Sequence, residues 1–174
     1  MALTNKPKRA TFAKTLSGHS IPVLHGVEIA SATWTAGAFL QDDDSGALTL
    51  PTSPINASAV GNRAFGMALN KATGVTAADA AFIWLTPDVV LEMTLSDPAG
   101  THTLAQADQW KVYPVTVDGT FSTGFWYLNG NAAVDTGGAV VVGFKDPIGT
   151  VDGRVYAVLT NPTRGGVNAG SATY

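Results

Sequence analysis

A chain of 174 residues fits one domain, or one domain with an arm, and is long enough to bury a core that needs no covalent staple. Its 45% hydrophobic residues and mean hydropathy of +0.16 exclude wholesale disorder, and a net charge of −3 with a pI near 5.4 argues against a broad nucleic-acid-binding face. No cysteine is present, so disulfides, zinc–thiolate sites and thiol nucleophiles are excluded together.

Residues 1–17 hold Lys6, Lys8, Arg9 and Lys14 beside Pro7, ahead of the first acid, Glu28. This segment is expected to be an extended basic arm whose removal leaves the rest folded. No continuous apolar stretch follows its cations, so a cleaved secretory signal is not expected. From Ile21 to Ile29 an apolar run forms a first strand, and Ala32, Trp34, Ala36, Ala38 and Leu40 fall on alternate positions, the period of a second. Asp42, Asp43, Asp44, Ser45 and Gly46 then make a turn, and Ala47 to Leu50 completes a hairpin. Pro51 to Asn62 is a polar connection before a strand from Ala64 to Leu69, and Ala72 to Asp79 is a loop or a single helical turn.

Ala80 to Leu85 suits a strand buried on both faces. After Pro87, alternation puts Val89, Leu91, Met93 and Leu95 on one face and Glu92, Thr94 and Ser96 on the other, which predicts one wet face. Asp97 to Gly100 closes that strand, and His102 to Gln109 fits a short helix or an irregular loop equally well. Trp110 to Val117 and Phe121 to Leu128 form a hairpin about Asp118 and Gly119, with both faces of the second strand covered. Gly138 to Phe144 and Arg154 to Leu159 are the last strands, and residues 161–174 form a loose tail rich in Gly, Ser and Asn. Nineteen Gly and nine Pro leave helices little room. The fold expected is therefore all-β: a single β-sandwich or barrel-like domain over residues 18–160, with an extended N-terminal arm and little helix.

Charged residues make up only 13% of the chain, about half the roughly 25% of an ordinary soluble domain. Thr, Ser, Asn and Gly must then cover the surface, and such a surface is cheap to desolvate, as interface cores are. An extensive protein interface and a neutral, turn-rich β-protein both fit this composition. No run of about 18 apolar residues is present to span a membrane as a helix, and a soluble protein is expected.

Signatures of chemistry are sparse. The sequence lacks G-x-S-x-G, the phosphate loop G-x-x-x-x-G-K-[ST] and G-x-G-x-x-G. His19, His25 and His102 are scattered without an H-E-x-x-H pair, and Asp42 to Asp44 fail the EF-hand spacing because Gly46 and Ser53 stand where ligands belong. Glu28 and Glu92 are not placed as a pair by sequence, as a glycosidase would need. The tryptophans Trp34, Trp84, Trp110 and Trp126, with Tyr113, Tyr127 and Tyr156, suit core or interface better than a sugar-stacking platform. Asn56, Ala57 and Ser58 form a glycosylation sequon, relevant only in a eukaryotic secreted protein. No catalytic residue, metal or cofactor is expected, and the partner-binding candidates are Lys6, Lys8, Arg9 and Lys14.

Several phrases resemble the capsid decoration, or cement, proteins of tailed bacteriophages. They are Thr35 to Leu40 running into an Asp and Gly turn, Gly66 to Leu69, Thr86-Pro87-Asp88 before Glu92, Trp110 to Val117, and Asp146 to Thr150 leading to Gly153-Arg154-Val155. The resemblance implies a virion structural protein, made in the host cytoplasm, that binds the major capsid protein on the capsid surface as a homo-oligomer, a trimer being favoured. It further implies that Ala2 to Ser17 clamps neighbouring capsid subunits through an exposed sheet edge or acidic groups. No nucleic acid and no membrane is expected as a partner. A glycan- or receptor-binding surface module is the alternative.

Overall fold

The computed structural model describes residues 10–43, 45–51, 55, 64–117, 125–131 and 138–160. Among them the chain makes twelve strands and one turn of 3-10 helix, Gln106–Asp108. The all-β expectation holds, and the strands form two curved sheets.

The first sheet is a closed barrel in the order β2-β4-β3-β5-β6: β2 (Val23–Glu28), β4 (Ala47–Thr49), β3 (Phe39–Asp42), β5 (Gly66–Ala68) and β6 (Asp79–Trp84). Closing so few strands leaves space for only a few large side chains, and glycines make it. A Cβ at Gly26 would stand 2.9 Å from Leu48 Cδ1, and one at Gly66 would stand 2.7 Å from Phe82 Cδ2. The hairpin expected about the Asp turn is present, with β3 antiparallel to β4.

The second sheet runs β8 (Val112–Tyr113), β11 (Ala139–Phe144), β12 (Arg154–Leu159), β7 (Val89–Ser96), β10 (Trp126–Asn129) and β9 (Val115–Val117), with β1 (Thr11–Thr15) also paired to β7. Its two ends, β8 and β9, are consecutive in the chain and separated by Pro114 alone. Proline has no N–H for a ladder, so pairing changes partner there: β8 bonds β11 and β9 bonds β10. The run Trp110 to Val117 is thus not the single strand expected. Its bend curls the sheet back on itself.

A single apolar core spans both sheets. Phe39 of the barrel meets Trp126 of the second sheet edge-on, with ring centroids 5.6 Å apart and planes at 87°. Ile55, fully buried, bonds through its N–H to the Val115 carbonyl at 2.7 Å.

Several local expectations are corrected. Only Phe39–Asp42 of the alternating stretch is strand; Ala32 and Trp34 are buried, but the backbone before Phe39 is irregular and turns at Ala36 and Gly37. Of the alternatives left open by the sequence, the loop holds for residues 72–78, and His102 to Gln109 is irregular apart from the 3-10 turn Gln106–Asp108. The predicted wet face of β7 is covered: Thr94 and Ser96 are buried and Glu92 is mostly so. Strands flank β7 along both edges, β12 on one and β1 followed by β10 on the other.

The segment expected as an arm divides. Thr11–Thr15 is a strand of the domain's own sheet, paired with Val89 to Glu92, and Ala10 is buried. Lys6, Lys8, Arg9 and the rest of residues 1–9 lie outside the described residues, as does the tail 161–174.

Candidate interaction surfaces

Glu28 is fully buried at the end of β2, where the β-branched and apolar residues before it carry the strand into the barrel. Its carboxylate accepts from Thr73 N–H and Oγ1–H and from Gly74 N–H, all at 2.9–3.0 Å, and so clamps the loop before β6. Glu92 pairs instead with Lys145 and Arg154, and Arg154 also reaches Asp146. These contacts raise the Arg154 pKa, first through the Asp146 hydrogen bond. The two glutamates are therefore structural groups in different sheets, with no pairing between them.

Asp108 is the hub of the second sheet. Tyr113 donates its hydroxyl to Asp108 Oδ1 at 2.7 Å, Ala105 N–H donates to Oδ2 at 2.8 Å, and His102 Nε2 lies 3.2 Å from Oδ2. Burial pushes the Asp108 carboxyl up, but the bonds from Tyr113, Ala105 and His102 outweigh it and hold the group below the usual carboxylate range. Burial, then the Asp108 carboxylate, pushes the Tyr113 phenol far above its ordinary value. The phenol is thus a fixed donor. Asp97 is treated similarly: burial raises it, while Thr101 N–H and Oγ1–H and Ala99 N–H lower it further than burial lifts it.

The other candidates have local roles. Asp42 and Asp43 accept backbone N–H bonds from Gly46, Ser45 and Ala47, so the acidic run folds its own turn. His25 forms an exposed pair with Asp79 at 2.9 Å, and His19 donates its N–H to Ser17 Oγ. Among the described residues no three His, Asp or Glu side chains are grouped to hold a metal ion. Lys14, exposed on β1, lies over the Tyr156 ring at 5.9 Å. Trp34 and Trp126 are buried, Trp84 tilts against Phe65, and Tyr113 and Tyr127 are core residues. Trp110 alone of the four tryptophans is exposed, at 68%.

Among the described residues, exposed apolar side chains fall on a strand of the barrel and on loops of the second sheet. On β2, Val23, Leu24 and Val27 are exposed, and while β6 pairs with the strand from Val23 to Val27, β4 reaches only Val27 and Glu28. Among the described residues the other edge of Val23 to Gly26 therefore has no strand beside it. Among the described residues this edge carries no Lys or Pro, the usual guards of an open edge, and His25 is bonded to Asp79 at 2.9 Å. Trp110, on the loop between β7 and β8, is exposed, as are Ile148 and Val151 on the loop between β11 and β12.

No protein-family model matches the chain, and no curated protein matches its sequence. The functional reading therefore rests on these surfaces.

The sequence offered weak pointers to them. An apolar Ile21 to Ile29 run was legible, but its exposure was not, because exposure depends on which strands flank it. The Asp108, Tyr113 and His102 cluster was missed, since its members are six and five residues apart on an irregular loop with no periodic signal.

Proposed function

We propose that the chain is a structural protein of a virion, a cement protein that associates with copies of itself and docks on the major capsid protein of a tailed-phage head. The observation that carries this reading is the apolar strand β2, whose edge at Val23 to Gly26 has no strand beside it among the described residues, a surface that gains from a second polypeptide by strand addition. The scarcity of charge supports it, because most of the carboxylates described are committed to folding loops and turns, leaving little ionic surface to desolvate. The class of partner is taken from the resemblance of short phrases such as Thr35 to Leu40 and Asp146 to Thr150 to decoration proteins.

Heads assembled without this chain should bind it saturably, in fixed stoichiometry, and rupture at a higher temperature once decorated. Absence of binding sinks the reading. A specific hit on a glycan array would instead favour the receptor-binding alternative.

A further inference from the structure

Strand β1 is held to the domain along one edge. Among the described residues it pairs with β7 alone, its register slips between Phe12 and Lys14, and none of its five residues is buried. Its apolar hold on the core is the buried Ala10 and the half-buried Phe12, with Lys14 set over the Tyr156 ring. Freeing such a strand returns one short ladder to water and exposes few apolar side chains, so it costs less than unfolding the whole sheet.

A hinge and a fastening follow the strand. Residues 16–21 are all exposed, and among them Gly18 sits at φ +74 with open space where a Cβ would be. The chain is fixed again at Pro22, whose carbonyl accepts from Trp84 N–H at 2.9 Å. The fastening is Asp88, the residue before β7. Leu16 N–H donates to the Asp88 carbonyl at 2.9 Å, Ser17 N–H donates to Oδ1 at 2.7 Å, and the Ser17 hydroxyl donates to Oδ2. That hydroxyl, more than any other contact, holds the Asp88 carboxyl below the usual carboxylate range, so the group is ionised at neutral pH. Both oxygens of the carboxylate thus close on Ser17, just past the point where β1 ends.

We propose that β1 is a detachable strap latched by Asp88: it covers the Val89 to Glu92 edge of β7 while the latch is closed, and leaves that edge, with the other strands in place, when the latch opens. The strap depends on the fold alone, whatever the chain binds.

Hydrogen exchange of the full chain at neutral pH, followed amide by amide in rising urea, tests the strap and the latch separately. Amides of β1 should be at least about a hundredfold less protected than those of β12, which holds the other edge of β7, and their exchange should barely respond to low urea, because a local opening exposes little surface. Asp88→Ala should speed β1 exchange about tenfold, and Ser17→Ala, which removes one bond of the latch and leaves the turn before β7 intact, about threefold. Tyr113→Phe weakens a hub that stays formed when the strap is open, so it should speed β12 exchange and leave β1 exchange within about twofold. Equal protection of β1 and β12 with the same urea dependence, or a β1 response to Tyr113→Phe as large as that to Asp88→Ala, would show that the strand leaves only with the whole fold and would overturn the strap. Unchanged β1 exchange in Ser17→Ala and Asp88→Ala would overturn the latch, and Ser17→Ala decides alone if Asp88→Ala does not fold.

Discussion

Strands β2 and β7 read alike as sequence, both rich in Val and Leu with one glutamate, and the fold gives them opposite fates. Strand β7 has neighbours along both edges, and seven of its eight residues are buried, including Thr94 and Ser96. Among the described residues strand β2 has a full-length neighbour on one edge only, and Val23, Leu24 and Val27 are each more than 40% exposed. Hydrophobicity alone therefore does not decide whether a strand is buried. A strand as apolar as β2 left half-paired is therefore a surface awaiting a partner.

The comparison is broken most sharply by truncation. Leu95→Ala, in the fully buried part of β7, should cost about 2–5 kcal/mol in urea denaturation, the range for cavities that cannot collapse. A smaller loss would mean that the second sheet is looser than its packing implies. Removing Ala2 to Ser17 takes β1 away and opens one edge of β7 at Val89 to Glu92, so the truncated chain should unfold at lower urea than the full chain.

Next in size is the buried hub. Tyr113→Phe leaves Asp108 without its phenol donor and should cost about 1–3 kcal/mol. The pH dependence follows from the directions of the shifts. Asp97 and Asp108 are held below their ordinary values, so their stabilisation is present above the unfolded value of about 3.9 and is lost as pH falls through the lower folded values. Tyr113 is held above its ordinary value, so its contribution is present below about pH 10 and is lost as pH rises beyond it. Urea midpoints against pH should fall at both extremes, and the alkaline fall should shrink in Tyr113→Phe. An unchanged alkaline limb would show that the phenol is not buried against Asp108.

The smallest effect on stability belongs to β2. Val23→Thr with Leu24→Thr should cost no more than about 2 kcal/mol, less than Leu95→Ala, since Val23 and Leu24 are only about half covered. The same pair should lower the solution mass measured by sedimentation if the strand is where copies meet. Equal masses for variant and wild type would leave β2 as an exposed strand without a role in association.

The amino-acid sequence by itself determined the all-β class, because Gly and Pro cut the chain into short runs and because the period-two alternation of β7 and the Asp turn of the β3–β4 hairpin are local signals. It also placed β6, β11 and β12 close to their observed bounds. Tertiary structure alone decided that Trp110 to Val117 breaks at Pro114 to serve both ends of one sheet, that β1 joins β7, and that Glu28 and Asp108 become loop clamps. Of the partner-binding candidates Lys6, Lys8, Arg9 and Lys14, only Lys14 lies among the described residues, on a strand over Tyr156, whereas Trp110 stands out through its left-handed backbone. The physical reason is range: turn chemistry and side-chain period act over a few residues, while the coverage of a face or the surroundings of a carboxylate depend on strands distant in the chain.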